Sequence, residues 1–183
     1  MDFRFVPMNA AYAQHIVAEW RYEGQYAIYD YNHEAEHMLD EDEWGNGLFA
    51  VLDGTGELVG ELSFWFLDET KDDWVPRAAA EAGKLEGSIR WIGFGLRPDL
   101  TGKGLGLPFV NACTDFAVKF AQERYHYVGE YVGLGVAKSN QRAVKVYARA
   151  GFEPYWEGPG AINDQPIDAV HMRKQVLRPE AAR

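Results

Sequence analysis

Phe3 and Phe5 alternate with polar neighbours at the start of the chain, so residues 2–6 are predicted to form a short strand. The period then changes. Ile16, Val17 and Trp20 fall at helical spacing within 10–20, and a second helix is expected to start near Asn32. Residues 48–53 and 57–66 read as strands, joined by a hairpin turn at Gly54-Thr55-Gly56. Residues 68–83 read as a loop with a helical turn. The run SIRWIGFGL, 88–96, is strand-like, and its two glycines indicate a bulge or a close backbone approach. A helix is predicted over 104–123, a strand over 131–136, and a helix over 140–150 that ends at Gly151. Two further strands are predicted over roughly 152–157 and 167–176. Strands and helices in this order describe a mixed α/β (α+β) layout around one sheet.

Composition narrows the picture. The 183 residues suit one domain with a substantial core, expected over 1–177 with a frayed tail at 178–183. No apolar run is long enough for a transmembrane helix, and the start MDFRFVPMNA lacks the layout of a signal peptide. Cys113 stands alone, which rules out an internal disulfide and fits a reducing compartment. A cytoplasmic location is expected. The formal net charge is −10, without the basic excess or basic stripe of a nucleic-acid binder. An acidic surface favours a cationic partner such as an amine, although it also serves solubility.

The most specific stretch is LRPDLTGKGLGLPFVNA, 96–112, with Gly102, Gly104 and Gly106 at alternate positions. It is not a Walker A loop, because Gly102-Lys103 is followed by Gly104 and no glycine lies five residues before Gly102. Nor is its G-x-G-x-G spacing the G-x-G-x-x-G of a dinucleotide fold. Pro108 is tolerated only in a helix's first turn, so the helix is expected to begin near Lys103 or Gly104. Its first amides, from about 103 to 107, then lack helical partners and sit at the positive end of the macrodipole. Glycines would let an anion approach them closely, and a pyrophosphate suits such a site, with Lys103 adding charge. An ordinary glycine-rich turn is the alternative.

A second segment, VAKSNQRAVKVYARAGFEP, follows a predicted strand. Ser139 or Asn140 can cap its helix. Asn140, Ala143 and Tyr147 share one helix face, which makes a plausible active-site wall.

Taken together, the two motifs resemble the GCN5-related N-acetyltransferases. RPDLTGKGLG is similar to their acetyl-CoA loop, [QR]-x-x-G-x-[GA], and N-x-x-A-x-x-x-Y-x-x-x-G-F to their following helix; the element order agrees along nearly the whole chain. The resemblance implies a mostly antiparallel sheet of about seven strands flanked by about four helices, with a splayed central strand pair. It implies acetyl-CoA as acyl donor and no metal. Backbone groups of Phe94, Gly95 and Leu96 would run beside the pantetheine, and one amide would stabilise the oxyanion. Thr101, Gly102, Lys103, Gly104, Leu105, Gly106 and Leu107 would hold the pyrophosphate. Asn140 would bond the cofactor arm, Ala143 would leave room beside it, and Tyr147 would protonate the leaving thiolate.

The chain departs from the family pattern in places. Thr101 stands where Gln or Arg is usual. Many members carry an acid five residues before the Asn, where this chain has Gly135; others carry a Glu in the middle of the preceding strand, where it has Arg90 and Trp91. Glu86 is the nearest acid and the candidate base, with Glu130, Glu61 and Asp30 as further options. The missing base motivates a rival reading, a non-catalytic acyl-CoA-binding sensor or regulatory module.

His33 and His37 spell H-E-x-x-H, a zinc-protease pattern, but their polar surroundings and the lack of a third ligand argue against a metal. The segment WRYEGQYAIYDYN, 20–32, supplies Tyr22, Tyr26, Tyr29 and Asp30 as candidate acceptor-binding residues, since aromatic walls and acids suit an amine. Packing of these rings in the core is the alternative. A small-molecule or peptide amine is the expected partner, with neither nucleic acid nor membrane; such domains commonly form homodimers. His126 and His171 read as structural or surface residues, and Cys113 as core.

Overall fold

A computed structural model of the chain describes residues 2–33, 35–86 and 88–176. The expected domain end at 177 and the tail 178–183 lie outside the described residues. The elements are β1 (Arg4–Pro7), α1 (Ala10–Glu19), 3-10 turns at Gly24–Tyr29 and Tyr31–His33, α2 (Ala35–Met38), β2 (Leu48–Leu52), β3 (Leu58–Asp68) and β4 (Asp73–Trp74). They continue with α3 (Arg77–Glu81), β5 (Ser88–Leu96), α4 (Gly106–Tyr125), β6 (Tyr131–Ala137), α5 (Gln141–Arg149), β7 (Glu153–Ile162) and β8 (Gln165–Gln175). The strands form one sheet in the order β1-β2-β3-β5-β6-β8-β7, with β4 attached to β3. Every pairing is antiparallel except β5 with β6.

Alternation along the strands divides the core. Leu62, Phe64 and Phe66 of β3 and Ile92 of β5 turn to one face, where they pack with Phe109, Val110, Cys113 and Ala117 of α4. Arg90 faces the same way and is fully buried. Its guanidinium donates to the Gly129 carbonyl at 2.9 Å and lies 4.9 Å from the Tyr127 ring; burial pushes it down to about 10. On the other face Ile16 of α1 and the residue that caps its end, Trp20, together with Tyr31 and Met38, cover Leu48 and Ala50 of β2.

The β5–β6 pair is the feature that makes a site. Its register holds only at Arg90↔Val132 and Trp91↔Gly133. By contrast the β3–β5 ladder runs unbroken from Gly60↔Leu96 to Asp68↔Ser88. Beyond Trp91 the strands diverge and open a slot, the splayed pair expected above.

Three local differences from the sequence reading have physical causes. Helix α4 starts at Gly106, later than expected, because Gly102 and Gly104 adopt φ of 76° and 82°, outside the right-handed helical region. No long helix follows Asn32: the 20–38 stretch breaks into 3-10 turns and the single turn of α2, with Gly24 at φ 59°. An extra strand, β4, pairs with β3 through Leu67↔Trp74 and Asp68↔Asp73, making eight strands rather than seven. Asn140 is the N-cap of α5, and its Oδ1 accepts from Ala143 N at 3.1 Å.

Candidate active site

A cavity of about 630 Å³ occupies the slot and extends under the 22–38 segment. One end is the glycine loop. The first helical bond of α4 runs from Phe109 N to Leu105 O at 3.1 Å, and Pro108 has no N–H, so the amides of Gly106 and Leu107 precede any helical acceptor. Space beside Gly104 is open: a Cβ there would meet nothing within 4 Å. Gly106 packs tightly on α5: a Cβ there would come within 3.2 Å of Val146. Thr101, Gly102, Gly104, Gly106 and Leu107 line the cavity; the exposed Lys103 and the cap residue Leu105 do not.

A second cation, missed in the sequence, stands at this end. Arg142 lines the cavity with its guanidinium 4.3 Å from the Tyr26 ring centroid, and a Cβ on Gly102 would lie 3.9 Å from its Nη1. Arg142 is the second residue of α5, in the first turn after the Asn140 cap, and that place beside the glycine loop is set by the fold rather than by a sequence period. Arg97, nearer in sequence to the loop, is already paired with Asp99 and Glu57, each at 2.6 Å.

Along the slot, Asn140, Ala143 and Tyr147 line one wall, as their shared helix face predicts. The Asn140 carbonyl is used by the helix cap, which leaves its amide nitrogen as the donor toward a ligand. The Tyr147 ring meets Phe94 edge-on at 5.7 Å. Burial, and secondarily the neighbouring Tyr29, push the Tyr147 phenol well above its ordinary range.

The far end is built on β3 and β5. Arg97 N donates to Val59 O at 2.9 Å, across to β3. Alternation therefore turns the backbone groups of Leu96 and Phe94 the other way, into the slot. Tyr22 Oη donates to Leu96 O at 3.0 Å; burial and then the charge of Glu61 push this phenol well up. Gly95 has to be glycine: a Cβ would lie 1.9 Å from Tyr31 Oη. That hydroxyl donates to Glu61 Oε1 at 2.7 Å. Glu61, buried and directly opposite Gly95 in the ladder, is thus a carboxylate in the cavity wall.

The other candidates fall in distinct places. Tyr22, Tyr26 and Tyr29 line the cavity. Asp30 does not; its Oδ1 accepts from Tyr22 N at 2.7 Å and holds that tyrosine in place. Glu86 lies in the exposed turn before β5 and is not brought to the cavity, so the carboxylate found there is Glu61. At Gly135, where no acid stands, the Trp91 indole lies close: a Cβ there would come within 3.1 Å of it. His37 lines the cavity 5.1 Å from the Trp65 ring, whereas His33 is exposed and Glu34 lies outside the described residues. Among the described residues no group of three or more His, Cys, Asp or Glu is arranged to hold a metal. Cys113 is buried, and burial pushes its thiol up. No helix among the described residues is long and apolar enough to cross a membrane.

Comparison with known proteins bears on this geometry. The family model described as "Acetyltransferase (GNAT) family" matches residues 12–152. Among solved structures, a chimera of the Vibrio cholerae spermidine N-acetyltransferase SpeG and hSSAT is similar with a TM-score of 0.64 at 17% identity, over 96% of each chain. A mutant of the Vibrio cholerae enzyme gives 0.60 at 16% identity, over 94% of this chain and 93% of that one. A structure assigned as a phosphinothricin N-acetyltransferase gives 0.58 at 14%, over 97% and 100%. At these identities the likeness speaks to the fold. A search of curated proteins finds no match.

Proposed function

The chain belongs to the GNAT acetyltransferase family and is an acyltransferase, and on that premise we propose that it transfers an acetyl group from acetyl-CoA to a primary amine of a small molecule or peptide. The observation that carries the reading is one cavity with a phosphate-suited loop at one end and a buried carboxylate at the other.

The residues fit the acyl donor, which supplies its acetyl group as an activated thioester. The Gly102–Leu107 loop offers the free first amides of α4 at Gly106 and Leu107, open space at Gly104 and the positive end of the helix to a pyrophosphate, and Arg142 adds a charge beside them. Asn140 donates its amide nitrogen to the arm in the slot. An N–H of Phe94 or Leu96, facing the slot, stabilises negative charge on the reacting oxygen. Tyr22, through its bond to Leu96 O, keeps this part of β5 in position.

Two proton positions complete the chemistry. Glu61 receives a proton from the ammonium form of the acceptor, directly or through one water, with Tyr31 fixing its Oε1. Tyr147 Oη holds a proton for the departing sulfur. Holding acceptor and donor together in a ternary complex supplies much of the rate. Direct attack needs no enzyme nucleophile, in keeping with a buried Cys113. A carboxylate in the cavity wall gives the catalytic reading the proton acceptor it needs, which the sensor reading does not require. We place the activity in the cytoplasm, a reading supported by the single free cysteine.

Acetyl-CoA incubated with the protein and a panel of amines, with free thiol detected, tests this directly. Amine-dependent thiol release is expected; none with any amine, at saturating acetyl-CoA, contradicts the proposal.

A further inference from the structure

The acceptor end of the cavity does not stop at a closed wall. Glu61, Ser63 and Trp65 alternate onto one face of β3, and all three line the cavity. Trp65 stands opposite Trp91 in the β3–β5 ladder, on the face that α1 covers only as far as β3. From Trp65 a row of rings continues across the uncovered half of the sheet. Trp65 lies 5.8 Å from Trp74, Trp74 6.4 Å from Trp91, Trp91 4.8 Å from His171, and His171 4.3 Å from Trp156. Bare backbone makes the row continuous: side chains at Gly133 and Gly135 would come within 3.0 and 3.1 Å of the Trp91 indole. The strip is open, with Trp74 50% and Trp156 41% exposed.

Its charged surroundings favour a cation. The charges of Glu69 and Asp72 act on Tyr155 and His171, and Asp73 immediately precedes Trp74. Of the nearby cations, Lys71 is held by Asp68 at 2.6 Å. Arg173 stacks between Tyr131 at 4.6 Å and Tyr155 at 4.9 Å, so rings bordering the strip already bind a guanidinium. Burial pushes the His171 imidazole down against the opposing pull of Asp72, so it adds little positive charge near neutral pH.

We propose that this aromatic strip is a distal subsite for the acceptor, and that the acceptor is therefore an elongated amine carrying a second cationic group, of the α,ω-diamine or polyamine type. The inference rests on the amine-acetyltransferase reading. Its length scale follows from β3: four residues separate Glu61 from Trp65, about 13 Å at roughly 3.3 Å per residue. The reacting amine sits at Glu61, and the second cation lies against the Trp65–Trp74–Trp91 rings beside the acids of the β3–β4 turn.

The experiment is a chain-length series. Thiol release is measured with α,ω-diamines from diaminopropane to diaminododecane and with monoamines of matching length. Specificity, kcat/KM, is expected to rise by about tenfold or more as the diamines reach the subsite, and much less for the monoamines. Trp74→Ala, on the exposed β4, should reduce the diamine series to the monoamine level and leave propylamine turnover unchanged. Asp72→Asn should reduce the diamine preference in part; Asp72 has φ 51°, which Asn tolerates. Diamines that track monoamines overturn the proposal, as does a Trp74→Ala enzyme with an undiminished diamine preference. Loss of a dimer in light scattering on Trp74→Ala, with the amine series unchanged, would make the strip a contact between copies and overturn it too. Thiol release with propylamine but no diamine preference sinks this inference alone; no release with any amine sinks the acetyltransferase reading with it.

Discussion

At the scale of single residues, the proposed chemistry rests on two proton positions and one close approach. Glu61→Gln removes a charge and a proton acceptor while keeping the side chain's size and its ability to accept from Tyr31. It should lower kcat/KM by about 10²-fold or more and remove the acid limb of the pH profile. An acid limb identical to that of the wild type would assign the base elsewhere. Tyr147→Phe should lower kcat by about 10²-fold with a much smaller effect on KM for acetyl-CoA. Because burial raises the Tyr147 phenol, it stays protonated beyond its ordinary value of 10, so the wild-type kcat should show no alkaline fall from this group below that pH. A fall near pH 8 that Tyr147→Phe abolishes would contradict this sign. The Gly95 contact was only half legible: the sequence showed a glycine-bearing strand but not that Tyr31, more than sixty positions earlier, is what approaches it.

At the scale of elements, local patterns were legible where periodicity and capping agree. The β5 bounds, the Asn140 cap and the Asn140–Ala143–Tyr147 face could be read because each follows from spacing within one element. The 20–38 stretch could not: its tyrosines obey the shape of a cavity made by β3, β5 and α5, and such a shape has no sequence period. Glu61 could be named only as one option behind Glu86 for the same reason, since its neighbours in the wall come from Tyr31 and Gly95, far away in the chain. The onset of α4 was misread by two or three residues because a glycine's φ is not encoded by its identity.

The β3–β4 turn makes a testable element of its own. Asp68 accepts from Thr70 N at 3.0 Å, from Thr70 Oγ1 at 2.6 Å and from Lys71 Nζ at 2.6 Å. The Lys71 bond first, and then Thr70, lower its carboxyl to about 2 from an ordinary 3.8. A depressed carboxyl stabilises the fold above its unfolded value, and that contribution is lost as pH falls toward about 2. Asp68→Asn should therefore lower Tm at neutral pH, and the gap from wild type should close between about pH 4 and pH 2. A gap that stays constant through that window would mean the turn does not depend on the charge.

For the whole molecule, the sheet does two jobs with its two faces. One carries the core beneath α4; the other carries the Glu61 end of the cavity, because α1 and the 20–38 segment cover only part of it. The divergence of β5 from β6 connects them, opening a slot between the phosphate-suited loop and Glu61. The central claim is that this loop binds the donor. Calorimetric titration with acetyl-CoA, of the wild type and of Gly104→Glu, tests it most directly. A Glu at a φ of 82° would be strained, and its charge would sit where open space meets the end of α4, so the folded state of the variant is checked in parallel by its Tm. The account predicts micromolar binding to the wild type and its loss in a folded Gly104→Glu. No binding by the wild type, or undiminished binding by the variant, would contradict it.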